Sequence, residues 1–123
     1  MEPYKLGEME ARFADLIWEH APIRSGELTK LCEEKFNWKR TTTYTMLKRL
    51  CERGMFENER GMVQVRMTKE EFQAGQGSSF IEDYFDGSLP LFLTAFSRKN
   101  RLSREDVEKL QQLIDSYREE DAR

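Results

Sequence analysis

Apolar residues recur along this chain at helical spacing in six stretches, interrupted once by an alternating segment. Met9, Phe13, Leu16 and Ile17 fall at i, i+4, i+7 and i+8, which predicts an amphipathic helix from Gly7 to His20, ended by Ala21-Pro22. Leu28, Leu31, Cys32 and Phe36 repeat the stripe in a second helix, with Ser25 as its N-cap and Glu27 in its first turn. A third helix is predicted from Lys39 to Arg53, closed by Gly54 in the left-handed position. At about 100° per residue, Thr43, Leu47 and Leu50 of this helix share one side. Thr41, Thr42, Thr45, Lys48 and Arg49 gather on the other, with Tyr44 and Met46 on the flanks. One face packs, and the other offers hydroxyls and cations.

After Gly54 the period drops to two. Met55 to Glu59, then Arg60-Gly61, then Met62 to Met67 read as a β-hairpin in which Val63, Val65 and Met67 point one way and Gln64 and Arg66 the other. A two-stranded hairpin is marginal alone, so it must lean on the helices. Residues 6–67 therefore read as a winged helix-turn-helix with Arg60 near the wing tip, and its basic third helix matches one that lies in the DNA major groove.

The second half is helical again. Thr68-Lys69-Glu70-Glu71 has the form of a capping box and opens a fourth helix carrying Phe72, Phe80, Ile81, Tyr84 and Phe85. Gly75 and Gly77, each costing about 1 kcal/mol against Ala, predict a break or kink in its middle. Ser88 caps a fifth segment with Pro90 in its first turn, and Leu89 to Phe96 is apolar nearly all round, which predicts a buried helix. Ser103-x-x-Asp106 caps a last helix to about Glu119, striped by Val107, Leu110, Ile114 and Tyr117 with Leu113 beside them. Three short helices cannot hide this many apolar side chains among themselves. A second copy of the chain is the simplest cover, with Phe80, Ile81, Tyr84, Phe85, Leu89, Phe92, Phe96, Val107, Leu110 and Ile114 as the dimerisation residues. The expected fold is mostly α: a winged-helix DNA-binding domain over 1–67 (three helices plus a β-hairpin wing) and a three-helix dimerisation region over 68–123.

Composition changes this picture in one respect. The 123 residues carry a formal charge of −3, which argues against a nucleic-acid partner until it is divided along the chain. Residues 1–37 hold 5 basic and 8 acidic side chains, residues 38–66 hold 7 and 3, and residues 67–123 hold 8 and 12. Only the middle block, with the third helix and the wing, is basic, and phosphate attraction is local, being screened beyond roughly 8–10 Å. No run approaches the ~20 apolar residues of a membrane span, and Met1-Glu2-Pro3-Tyr4-Lys5 lacks the pattern of a secretory leader, so a cytoplasmic protein without membrane insertion is expected. Cys32 and Cys51 lie 19 positions apart without further Cys or His beside them, and His20 is the single histidine, so neither a metal set nor an activated nucleophile is legible. Gly75-Gln76-Gly77 lacks the Lys-Ser/Thr of a phosphate loop. No cofactor is expected, and an enzyme finds no constellation to support it. A winged-helix module that binds protein instead of DNA stands as the alternative.

The residues that carry a family resemblance are Leu6-Gly7-Glu8-Met9-Glu10 leading to Trp18, then Thr42-Thr43-Tyr44-Thr45-Met46-Leu47-Lys48-Arg49-Leu50 with Glu52-Arg53-Gly54, and Phe85-Asp86-Gly87-Ser88. In these the chain resembles the penicillinase-repressor family of bacterial transcription regulators over nearly its whole length. The resemblance implies a homodimer, with winged helices on DNA and interlocking C-terminal helices, that represses antibiotic-resistance or copper-homeostasis operons at dyad-symmetric operators. It maps the recognition helix onto Thr41 to Arg49, with Thr41, Thr42, Tyr44 and Thr45 facing the groove. Lys39, Arg40, Lys48 and Arg60 are suited to phosphates, which position without reading sequence, and two-fold symmetry sets the half-sites about one helical turn, or a multiple of it, apart. Antibiotic-responsive members are relieved by a membrane sensor-peptidase that leads to cutting of an Asn-Phe bond in the fifth helix. The corresponding bond here is Ala95-Phe96, with the Phe kept and the Asn replaced. Copper-responsive members carry a C-terminal cysteine cluster, whereas this chain ends Arg118-Glu119-Glu120-Asp121-Ala122-Arg123, so copper sensing by that route is not expected.

Overall fold

The periodic stretches become six helices, and the alternating segment becomes two of three strands, in a computed structural model that describes residues 4–121. Met1-Glu2-Pro3, on which the leader reading rests, and Ala122-Arg123 of the cysteine-free terminus lie outside the described residues. The elements run α1 (Glu8–His20), β1 (Ile23–Arg24), α2 (Ser25–Phe36), α3 (Arg40–Glu52), β2 (Phe56–Glu59), β3 (Met62–Val65), α4 (Lys69–Phe85), α5 (Leu89–Lys99) and α6 (Arg104–Asp121). The fold is mostly helical, a winged helix followed by a helical C-terminal region.

The helix starts follow from side-chain chemistry at their first turns. The Gly7 N–H donates to Glu10 Oε1 (3.1 Å) ahead of α1. Thr68 and Glu71 close the expected capping box, the Glu71 N–H donating to Thr68 Oγ1 at 3.1 Å. Ser88 accepts from the Leu91 N–H (3.1 Å) and Ser103 from the Asp106 N–H (3.0 Å). Ser25 departs from expectation: it is the first residue of α2, whose cap is Arg24. The reason is a strand the alternation could not reveal. Ile23 and Arg24 pair antiparallel with Val63 and Met62, giving a three-stranded sheet in the order β1-β3-β2, and the Ser25 N–H donates to the Gly61 carbonyl at 2.8 Å.

Two compact units divide the chain, Met1–Phe80 and Ile81–Arg123. In the first, Phe13, Ile17, Leu28, Cys32, Leu50, Met55, Phe56 and Val63 are fully buried, with Leu47 buried beside them. Met9, placed on the buried stripe by its spacing, is exposed, and Ala14 is buried instead. Val65, placed with Val63, is exposed near the end of its strand. The first half of α4 belongs to this unit: Phe72 is buried against Trp18 (5.7 Å between ring centroids), and the Trp18 indole donates to the Met67 carbonyl at 2.9 Å. The division between the two units falls inside α4, at Phe80. The helix is not broken at Gly75 or Gly77. It is one helix from Lys69 to Phe85.

In the second unit, α4 stops where Asp86 and Gly87 turn left-handed (φ 50° and 74°), and the Gly87 N–H donates back to the Ile81 carbonyl at 3.0 Å. Phe85 meets Phe92 edge-on at 5.3 Å, and Phe92 stacks obliquely on Phe96 at 5.8 Å. The expectation that α5 is a buried helix is corrected: it has no buried residue, and Leu89, Leu91 and Phe96 are exposed. Within one chain, α6 supplies only one neighbouring wall, forming with α5 a groove of about 290 Å³ lined by Phe92, Leu93, Phe96, Leu102 and Leu110 together with Asp106 and Lys109.

Candidate nucleic-acid interface

The helix-turn-helix is set by its turn. Asn37 takes a left-handed conformation (φ 54°), so that its N–H closes α2 on the Glu33 carbonyl, and the chain re-enters helix at Arg40 after only Asn37, Trp38 and Lys39. Trp38 anchors this turn between Phe36 (5.0 Å) and Phe13 (5.3 Å). Short turns of this kind set the second helix of the pair across the first.

The wheel of α3 divides as its sequence predicts. Thr43, Leu47 and Leu50 are buried, while Lys39, Arg40, Thr41, Thr42, Thr45, Lys48 and Arg49 are exposed. The Thr45 hydroxyl donates to the Thr41 carbonyl (2.9 Å), so its lone pairs and methyl, and not its proton, are left for an outside partner. Tyr44 is half-buried on the flank. Its hydroxyl donates to Ser25 Oγ of α2 at 3.1 Å, and the Arg40 guanidinium lies 5.8 Å from its ring centroid. The Ser25 hydroxyl first, and Arg40 after it, hold the Tyr44 phenol below its ordinary value of 10.0. Tyr44 therefore directs its hydroxyl to α2 from the flank that the wheel gives it.

Arg60 stands exposed at the wing turn, with φ 52° followed by Gly61 at 82°, the two left-handed residues of a tight hairpin. Behind it the wing is not basic: Glu57 is paired with Arg66, and Glu59 is exposed. Between the wing turn and the starts of α2 and α3 opens a cleft of about 580 Å³, lined by Arg24, Ser25, Gly26, Thr29, Lys30, Arg40 and Gly61 together with Glu27 and Glu33. Arg24 and Lys30 are cations that the sequence reading missed. A basic residue at the cap of α2, whose first amides favour anions, was the available signal.

Among the described residues no group of His, Cys, Asp and Glu comes together in a way that could hold a metal ion. Cys32 is buried and Cys51 half-buried, and burial pushes both thiols above their ordinary value of 9.0. No helix of the described residues is long and apolar enough to cross a membrane. Of the residues predicted to dimerise, Phe80, Tyr84, Leu89, Phe96, Val107 and Ile114 are exposed, and Ile81, Phe85, Phe92 and Leu110 are half-buried. The Ala95-Phe96 bond lies inside α5, both side chains exposed.

A three-residue turn, a third helix presenting Thr and Lys outward and a wing beside it define a winged helix-turn-helix protein of the DNA-binding class. The family model described as penicillinase repressor matches residues 6–116. A penicillinase repressor of Bacillus licheniformis is 24% identical over 118 residues, covering 93% of this chain and 92% of that protein. The chain belongs to the penicillinase repressor family, and its role is that of a transcriptional repressor.

Proposed function

We propose that the chain represses transcription in the cytoplasm as a homodimer bound to a dyad-symmetric operator. The observation that carries this reading is the outer face of α3, where Thr41, Thr42, Thr45 and Lys48 stand exposed in the only basic block of the chain. Thr41, Thr42 and Thr45 meet base edges through hydroxyl and methyl groups. Lys39, Arg40, Lys48 and Arg60, joined by Arg24 and Lys30 around the cleft, hold phosphates and set the register. Tyr44 braces α3 on α2. The role is one of binding, with no bond made or broken by the chain's own residues.

Relief of repression belongs to the same proposal. Cutting Ala95-Phe96, under a membrane sensor-peptidase, would divide the 11-residue α5 into pieces too short to hold helical form alone and remove part of the dimer surface. Mass spectrometry of the chain from induced cells reads this directly, an intact chain rejecting it.

The test of DNA binding is a salt titration of the protein on DNA from its own promoter. A dimer with about six phosphate contacts loses about 10³-fold in affinity between 50 and 200 mM salt. The triple variant Thr42→Ala, Thr45→Ala, Lys48→Ala should abolish preference for the promoter while leaving the fold intact. Salt-insensitive binding, or a triple variant that binds as before, would sink the proposal and favour a protein-binding module.

A further inference from the structure

We propose that Tyr44 is a positioning residue for Arg40: tethered through its hydroxyl to Ser25, its ring holds the Arg40 guanidinium, so that a phosphate-binding cation is ordered before DNA arrives. This rests on the DNA-binding reading above and adds to it a residue that acts through another.

Arg40 is the first residue of α3, and Tyr44 lies one turn further on, at the i, i+4 spacing that sets two side chains side by side on a helix. Arg40 is exposed, and none of the ion pairs among the described residues involves it. What its guanidinium meets is the Tyr44 ring, 5.8 Å away at the centroid, an attraction between a cation and the electron-rich ring. The ring is itself fixed from outside α3. Its hydroxyl donates to Ser25 Oγ at 3.1 Å, and the Ser25 N–H donates to the Gly61 carbonyl at 2.8 Å. Ser25 thus ties Tyr44 both to the start of α2 and to the wing turn. Ser25, Arg40 and Gly61 line one cleft, so the tether and the cation it serves lie together there. The lowered phenol pKa of Tyr44, caused by Ser25 first and Arg40 after it, agrees with both contacts. Tyrosine is the side chain that this arrangement needs. Phe would keep the ring and lose the tether, and Leu would lose both.

Ordering a long side chain only on binding lowers affinity by about two- to twelvefold. A ring that orders Arg40 in the free protein removes that loss in advance. Salt dependence separates the two residues, because its slope counts the phosphates neutralised and not how well each cation is prepared. Deleting Arg40 therefore lowers the slope, whereas deleting the Tyr44 ring lowers affinity at constant slope.

The experiment lets the wild-type chain select a duplex from a random pool, then titrates each variant on that duplex between about 50 and 200 mM salt. Arg40→Ala should lower the log–log slope by about one per bound chain. Tyr44→Leu should weaken binding about threefold per bound chain, about tenfold where two are bound, with the slope unchanged. In the Arg40→Ala background the same change should weaken binding less than about twofold in all. Tyr44→Phe and Ser25→Ala should each weaken binding about twofold per bound chain, and the two together no more than either, since both cut one hydrogen bond. Helical circular dichroism and a cooperative melt accompany each variant, and if Tyr44→Leu fails to fold, the cycle of Tyr44→Phe with Arg40→Ala decides alone. Tyr44 variants that weaken binding as much without Arg40 as with it, or that leave binding unchanged, overturn the positioning role and leave the repressor reading standing. A wild type that selects no sequence overturns both.

Discussion

Thr43 sits fully buried in the middle of the helix that carries the interface, yet its hydroxyl has no well-aligned hydrogen-bond partner. Its polar neighbour is the buried Cys32 thiol, a weak partner whose pKa burial raises and Thr43 draws back down. A thiol contact this weak does not offset burial of the oxygen. Replacing Thr43 by Val keeps the β-branched shape and removes the unsatisfied oxygen, so Thr43→Val should stabilise the folded chain by about 1 kcal/mol. Chemical denaturation measures this, and DNA affinity should not change because the side chain faces inward. A loss of stability instead would show that the Thr43–Cys32 contact is a true hydrogen bond. From the wheel alone the burial of Thr43 was legible and its missing partner was not, since a hydroxyl's partners come from α2.

At the scale of elements, the wing turn combines two demands that oppose each other. Arg60 holds a left-handed φ that costs a side chain of its kind roughly 1 kcal/mol and that Asn adopts readily. Arg60→Asn should therefore raise wing stability by about 0.5 kcal/mol while lowering operator affinity. The log–log salt slope should shrink by about one per Arg60–phosphate contact, about two per dimer. A slope that stays constant would remove Arg60 from the interface. The hairpin was legible because Val63 and its neighbours alternate around Arg60-Gly61. Strand β1 was not, because two residues after Ala21-Pro22 are too few to show a period, and their partners Val63 and Met62 are remote in sequence. The same limit explains Ser25, a good cap by type but already helical because β1 precedes it. It also explains Gly75, where a Cβ would fall within the Tyr4 ring. For the candidate site, Lys48 and the threonines were legible from one helix, whereas the Tyr44–Ser25 brace and the cleft cations Arg24 and Lys30 needed α2 and α3 in contact.

At the scale of the whole molecule, the two units differ in what holds them. The first has a closed core, whereas among the described residues from Ile81 onward none is buried, and Leu89, Leu113 and Tyr117 are 54, 55 and 63 % exposed. Sequence reading placed α5 in a core because a helix that is apolar nearly all round does not say whether its own chain or another covers it. Burying the apolar side chains of α5 and α6 that remain half-exposed would contribute about 1 kcal/mol each. Summed over both helices this is comparable to the whole stability of a small protein, about 5–15 kcal/mol, so the second unit should fold only as it associates. Folding coupled to association makes the melting midpoint depend on concentration. Each tenfold increase adds about 1.4 kcal/mol of association free energy, which for a dimer of this size should raise the midpoint by about 4 °C. Thermal melts across a hundredfold range of concentration, with sedimentation at each, measure it. Ile114→Asp, at an exposed position of α6, should abolish the dependence and the two-headed binding together while the winged helix still melts cooperatively. A midpoint that ignores concentration, with monomers in sedimentation, would mean that the exposed apolar faces of α5 and α6 are not covered by a second copy of the chain.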